Sequence, residues 1–153
     1  MSWKDKSRVL ALDNGNRLIP YVEGTITNVT ANDLMGVKAI KKRCFQDDKE
    51  LVSVEIPEGV TEIGQSAFQS CIKLKTIIIP STVTTIGNQA CYYCMELESV
   101  KIYATTPPVL GDTYAFNTST NKHTIYVPKG CLIAYQNATN WTSFSSRMVE
   151  FEE

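Results

Sequence analysis

Leu51-Val52-Ser53-Val54-Glu55-Ile56-Pro57 is followed 23 residues later by Leu74-Lys75-Thr76-Ile77-Ile78-Ile79-Pro80, and 23 residues later again by Leu97-Glu98-Ser99-Val100-Lys101-Ile102. The stretch after each block recurs at the same spacing: Val60-Thr61-Glu62-Ile63-Gly64 returns as Val83-Thr84-Thr85-Ile86-Gly87, and Ala67-Phe68 with Cys71 as Ala90-Cys91 with Cys94. One period earlier, Val37, Ile40, Cys44, Phe45 and Asp48 occupy the same positions in a degenerate copy. A fixed period of this size marks a stacked repeat, in which each unit is one coil that buries its apolar face only against its neighbours.

Each position of the unit has a physical reason. Leu51, Val54 and Ile56 read as the inward side of a short strand, with Ser53 and Glu55 pointing out. Thr76 and Ile78, then Ser99 and Lys101, take the outward places in the next two coils. Pro57 and Pro80 end their strands, because proline lacks the N–H that a ladder needs. Val60 and Ile63 open the return side. Gly64 and Gly87 are expected to supply a tight or positive-φ turn, and Ala-Phe-x-x-Cys a single helical turn whose Phe and Cys fill the core.

The pattern L-x-S-V-x-I-P-x-x-V-T-x-I-G-x-x-A-F-x-x-C resembles the 23-residue leucine-rich repeat of the BspA type, also called the Treponema pallidum type. The resemblance implies a mainly β solenoid with short helical turns, capped at both ends and working as a binding scaffold. The expected organisation is a single domain over 1–153, with an N-terminal cap at 1–36, repeat coils at 37–116 and a C-terminal strand and helical cap at 117–153. In the front cap, Val9-Leu10-Leu12 leads through the turn signal Asn14-Gly15-Asn16 into Leu18-Ile19-Pro20-Tyr21-Val22. At the back, Ala104-Thr105-Thr106-Pro107-Pro108 replaces the expected I-P-x-x-V section and is read as closing the stack. Thr124-Ile125-Tyr126-Val127-Pro128 is then a last strand, Leu132-Ile133-Ala134-Tyr135 a short helix, and Trp141 and Phe144 the cover of the final coil. The two ends are similar to those of such repeat proteins in gut bacteria and their phages.

Composition narrows the function. With 153 residues, 43% hydrophobic, one ordinary globular domain is the natural size. Fifteen Lys plus Arg against sixteen Asp plus Glu leave no broad basic footprint for nucleic acid or anionic lipid. No apolar run approaches the roughly 20 residues that cross a bilayer. Val9–Leu12 is too short for a secretory h-region, so the expectation is synthesis in the cytoplasm without a signal peptide, and residence in a virion or a host cytoplasm.

The residues available for chemistry are few. His123, the one imidazole, follows the polar stretch Asn117–Lys122 and is expected on a surface loop. Cys91 and Cys94 are spaced like half of a redox or zinc site, but they fall on the Phe and Cys positions of the repeat and are expected to pack the core. The five cysteines (Cys44, Cys71, Cys91, Cys94 and Cys131) read as thiols rather than a disulfide framework. Lys38, Lys41, Lys42 and Arg43 form a basic cluster, but Asp47, Asp48 and Glu50 offset it, leaving a solvated face. Asn28-Val29-Thr30, Asn117-Thr118-Ser119, Asn137-Ala138-Thr139 and Asn140-Trp141-Thr142 match the glycosylation pattern and are read as chance or turn chemistry.

The expectation is therefore a non-catalytic scaffold, with no cofactor and no metal, that binds through the outward row Ser53, Glu55, Thr76, Ile78, Ser99 and Lys101. The expected partner is a protein or a cell-surface glycan, in the setting of phage or bacterial surface adhesion and receptor binding, with a homo-oligomer as one arrangement. The alternative is an intracellular inhibitor or adaptor of protein–protein interaction, such as a phage counter-defence factor. Four coils at about 4.8 Å and strands reaching about 13 Å offer only a few hundred Å², against the roughly 800 Å² per partner of a standard interface. Loops such as 105–121, or several copies, must then contribute.

Overall fold

A computed structural model of the chain describes residues 27–152, together with the backbone of two short strands before them. Those two, β1 (Ala11–Leu12) and β2 (Arg17–Ile19), pair antiparallel, Ala11 opposite Ile19 and Leu12 opposite Leu18. The rest of the front-cap expectation, Val9-Leu10, Asn14–Asn16 and Pro20–Ile26, lies outside the described residues.

From Asn28 onward the chain winds through short strands that alternate between two sheets: β3 (Asn28–Val29), β4 (Ala39–Ile40), β5 (Ser53–Glu55), β6 (Glu62–Ile63), β7 (Thr76–Ile79), β8 (Thr85–Ile86), β9 (Ser99–Ile102), β10 (Val109–Leu110) and β11 (Thr124–Pro128). Helix α1 (Leu132–Asn137), a 3-10 helix (Trp141–Arg147) and β12 (Met148–Phe151) follow. The first sheet runs β3-β5-β7-β9-β11-β12 and the second β1-β2-β4-β6-β8-β10, parallel throughout except for the β1–β2 pair. The period becomes register: Ser53, Thr76 and Ser99 lie side by side, as do Ala39, Glu62 and Thr85.

The core lies between the sheets. Leu51, Val54, Ile56, Val60 and Ile63 of one coil, and their counterparts in the next, are all buried. Phe45 and Phe68 stack nearly parallel with centroids 5.2 Å apart. The thiols of Cys71 and Cys94 donate to the carbonyls of Phe45 and Phe68 in the preceding coils, at 3.0 and 3.1 Å. Cys91, in the Phe place, is buried as well.

The third side of each coil is a column of turns in place of the expected helical turn. Within Gly64–Cys71, the N–H groups of Ala67, Gln69 and Cys71 bond carbonyls three residues back, each at 3.2 Å. The intervening Ser66, Phe68 and Ser70 donate instead to Asn88, Ala90 and Tyr92 of the next coil, at 2.7–2.9 Å. This alternation puts Ser66 and Ser70 at φ near +55° and +59°, with Gln89 and Tyr93 repeating the pattern.

Gly64 and Gly87 have an unexpected role. Neither has a positive φ. A Cβ on Gly64 would lie 2.8 Å from the Lys41 carbonyl carbon, and one on Gly87 would lie 2.8 Å from Gln65 Cα. They are glycine because the preceding coil's backbone passes where a side chain would sit.

The stack also runs past the Pro107-Pro108 section instead of closing there. Val109 and Leu110 pair with Thr85 and Ile86, β11 pairs with β9, and β12 adds a further parallel strand, so β11 is not the last. The C-terminal helices cover this end with Tyr135, Trp141 and Phe144, all buried. Their polar atoms take up main-chain carbonyls: Tyr135 OH donates to Ala104 (2.7 Å), Asn140 Nδ2 to Leu110 (2.7 Å) and Trp141 Nε1 to Pro108 (2.8 Å).

Candidate partner-binding face

The outward side of the first sheet is built in rows by the pleat, since every second residue faces away from the core. One row is small and polar: Asn28, Ser53, Thr76, Ser99 and Thr124. Ser53 Oγ donates to Asn28 Oδ1 at 2.6 Å. The next reads Glu55, Ile78, Lys101, Tyr126 and Val149, acidic, apolar, cationic and then apolar or aromatic at successive strands. Two residues further on stand Pro57, Pro80, Tyr103, Pro128 and Phe151.

The six residues singled out from the sequence therefore share one face, in two adjacent rows. Glu55 is exposed; Ser53, Thr76, Ile78, Ser99 and Lys101 are each half-buried by their neighbours. Lys101 is held by aromatic rings, its Nζ lying 5.0 Å from the Tyr103 centroid and 4.3 Å from that of Phe151. Those rings meet edge to face at 5.2 Å. Cation–π contact of this kind is worth about 0.5–1 kcal/mol at an exposed site and fixes where the charge points.

Asn28, Tyr103, Thr124, Tyr126 and Phe151 are members of the face that the sequence reading passed over. Tyr103 was within reach of the same alternation, two residues beyond Lys101, and Tyr126 sits in the I-Y-V-P alternation of β11. Phe151 carried no such signal, because β12 lacks the leucine and proline that frame β5 and β7.

The chemistry-bearing residues lie elsewhere. Cys91 and Cys94 are both buried, and the Cys94 thiol is pushed well up from its ordinary value, first by its hydrogen bond with Cys91 and then by burial. Among the described residues no three His, Cys, Asp or Glu side chains converge to hold a metal ion. No helix described is long and apolar enough to cross a membrane.

His123 corrects the surface-loop expectation. It is 1% exposed and stands immediately before β11, its side chain buried two residues ahead of the buried Ile125. Neither ring nitrogen has a hydrogen-bond partner among the described residues. Burial, with a smaller contribution from the Arg147 charge, lowers its pKa to about 4. The unfolded chain, with an ordinary pKa near 6.5, binds the proton more tightly, so stability falls as the pH drops through this window. The expected loss between pH 7 and pH 4.5 is about 2 kcal/mol. Urea unfolding at the two pH values should show it, and His123→Leu should flatten the dependence by that amount. An equal pH dependence in the variant would place the imidazole in solvent.

Two parallel sheets of short strands closed by a turn column define a leucine-rich-repeat solenoid. The pattern of the BspA type leucine rich repeat region matches residues 38–148 in six copies, and the chain belongs to that family. No curated protein matches the chain significantly. Repeats of this family point to a protein-binding scaffold, and leucine-rich-repeat domains generally mediate protein–protein interaction.

Proposed function

We propose that the protein acts without catalysis, by presenting the Ser53–Lys101 face to a partner in bacterial surface adhesion or receptor binding, as a virion-associated module. The observation that carries this reading is the outward row Glu55–Ile78–Lys101–Tyr126, which sets a carboxylate, an aliphatic chain, an ammonium held by rings and a phenol about 4.8 Å apart. Mixed chemistry on a rigid ladder discriminates between partners, because each strand fixes its neighbour's spacing. Six strands span about 24 Å, still short of a standard interface. Flanking loops or several copies on one particle would supply the remainder.

A second reading, an intracellular inhibitor or adaptor, is favoured by the buried thiols of Cys44, Cys71, Cys91 and Cys94, none of them in a disulfide, which suits a reducing compartment.

Light scattering on the protein alone, and after passage over lysed or intact host bacteria, separates the two. A trimer or larger assembly that binds intact cells supports adhesion. A small species carrying one stoichiometric cytoplasmic protein supports the inhibitor. In either case the double substitution Ile78→Asp with Lys101→Glu is expected to weaken capture at least tenfold while changing the urea midpoint little, since both side chains are outside the core.

A further inference from the structure

Between the second and third rows the face holds an open hollow of about 280 Å³, lined by the apolar Ile78, Pro57 and Pro80, by Tyr103 and by the two carboxylates Glu55 and Glu58. This is smaller than the roughly 300–1,000 Å³ of sites that enclose whole small molecules, and closer to the scale of one side chain. Both Glu58 oxygens accept from Ser81, one from its N–H and one from its Oγ, at 2.9 Å each, which fixes that carboxylate in place. Glu55 is exposed and forms no ion pair among the described residues. The cation of the same face, Lys101, is held over Tyr103 and Phe151 on the far side of Ile78.

We infer that this hollow receives a basic side chain, arginine or lysine, from a protein partner. The inference rests on the reading of this face as the binding surface and names the chemistry of its anchor. A long cationic side chain has the two parts the hollow asks for: a hydrocarbon stem to cover Ile78 and the prolines, and a charged head that reaches the carboxylates. Glu55 supplies the charge complement. A neutral apolar residue would cover the apolar lining and leave two carboxylates facing it, and a neutral sugar would leave the charge unanswered. The row also sets what lies beside the anchor: the Lys101 ammonium, 5.0 Å from the centroid of the Tyr103 ring that lines the hollow, calls for an acidic group on the same partner.

The test follows the δ1-methyl of Ile78 by NMR while N-acetyl-arginine amide, N-acetyl-lysine amide, N-acetyl-citrulline amide and N-acetylglucosamine are titrated into the full chain. The cationic amides should shift this methyl saturably, with citrulline at least threefold weaker. Glu55→Gln should reduce arginine to the citrulline level, while Glu98→Gln, outside the hollow, leaves it unchanged. Both carboxylates are exposed, so the variants fold, as their amide spectra will confirm. Equal binding of citrulline, a shift with the sugar in preference to the amides, or no shift at Ile78 overturns the inference. If Ile78 ignores the cations but the Ile78→Asp and Lys101→Glu variant still loses its captured partner, the anchor is wrong and the face reading survives. If the cations bind and that variant captures as well as the parent, the face reading is the one that fails.

Discussion

Ile77→Asp is expected to unfold the protein, and Ile78→Asp, one residue on, to leave it folded. Ile77 is 1% exposed and sits in register between Val54 and Val100, at the centre of the longest run of regular coils. An aspartate there has no partner, so at pH 7 it must either stay charged in the core or bind a proton. Raising its pKa from 3.9 to above 7 costs about 4 kcal/mol, and the lost isoleucine burial adds about 2 kcal/mol. A loss of about 6 kcal/mol is of the same size as the 5–15 kcal/mol that holds a domain of this kind. Ile78 faces out, between Glu55 and Lys101, where an aspartate stays hydrated. Far-UV circular dichroism and urea titration of the two variants measure the difference. Equal destabilisation would reverse the assigned faces of β7.

Gly87→Ala carries the second large effect, because it tests what spaces the coils. The added methyl meets Gln65 backbone atoms, with Cα only 2.8 Å away. The same glycine's N–H bonds Ile63 O at 2.8 Å, so moving the strand aside also weakens the coil-to-coil ladder. A backbone has nowhere to swing, unlike the end of a flexible side chain, and a cost of about 3 kcal/mol is expected. Gly130→Ala is the comparison: φ is +80° there but nothing lies within 4 Å of the added carbon. Conformational strain alone predicts a loss of about 1–2 kcal/mol. Urea midpoints that rank the two in the opposite order would return Gly87 to the role of a turn glycine.

The same contrast shows what the sequence made legible. Spacing fixes register, and Leu51, Val54 and Ile56 with their 23-residue counterparts were enough to place three strands side by side and to say which side chains face out. Spacing is silent about conformation inside the unit. It located Gly64 and Gly87 as punctuation shared by two successive coils, but a glycine demanded by φ and one demanded by a passing backbone look alike in one dimension. The Ala-Phe-x-x-Cys column is similar, since a helical turn and a run of turns that alternate local with coil-to-coil hydrogen bonds bury the same Phe and Cys.

Irregular coils were harder to follow. From β9 to β11 the offset grows to 25 residues, Ser99 pairing with Thr124. Once the period slips, His123 reads as the end of a polar loop although its ring is buried. The outward face was legible where the repeat was regular and was lost where it was not. Ser53 to Lys101 fell into place, whereas Phe151, which helps to hold Lys101, lies on a strand whose sequence carries no repeat signature.

Site-specific photo-crosslinking tests the central claim, that the outward side of the first sheet is where the partner binds. p-Benzoylphenylalanine is placed at Thr76 on that face and, separately, at Thr85 on the outward side of the second sheet, both beside the same regular coil. Each is irradiated with the captured partner present. Covalent adducts at Thr76, absent at Thr85 and lost on adding Ile78→Asp, are the predicted result. Adducts of equal or greater yield from Thr85 would contradict the account and move the binding surface to the opposite sheet.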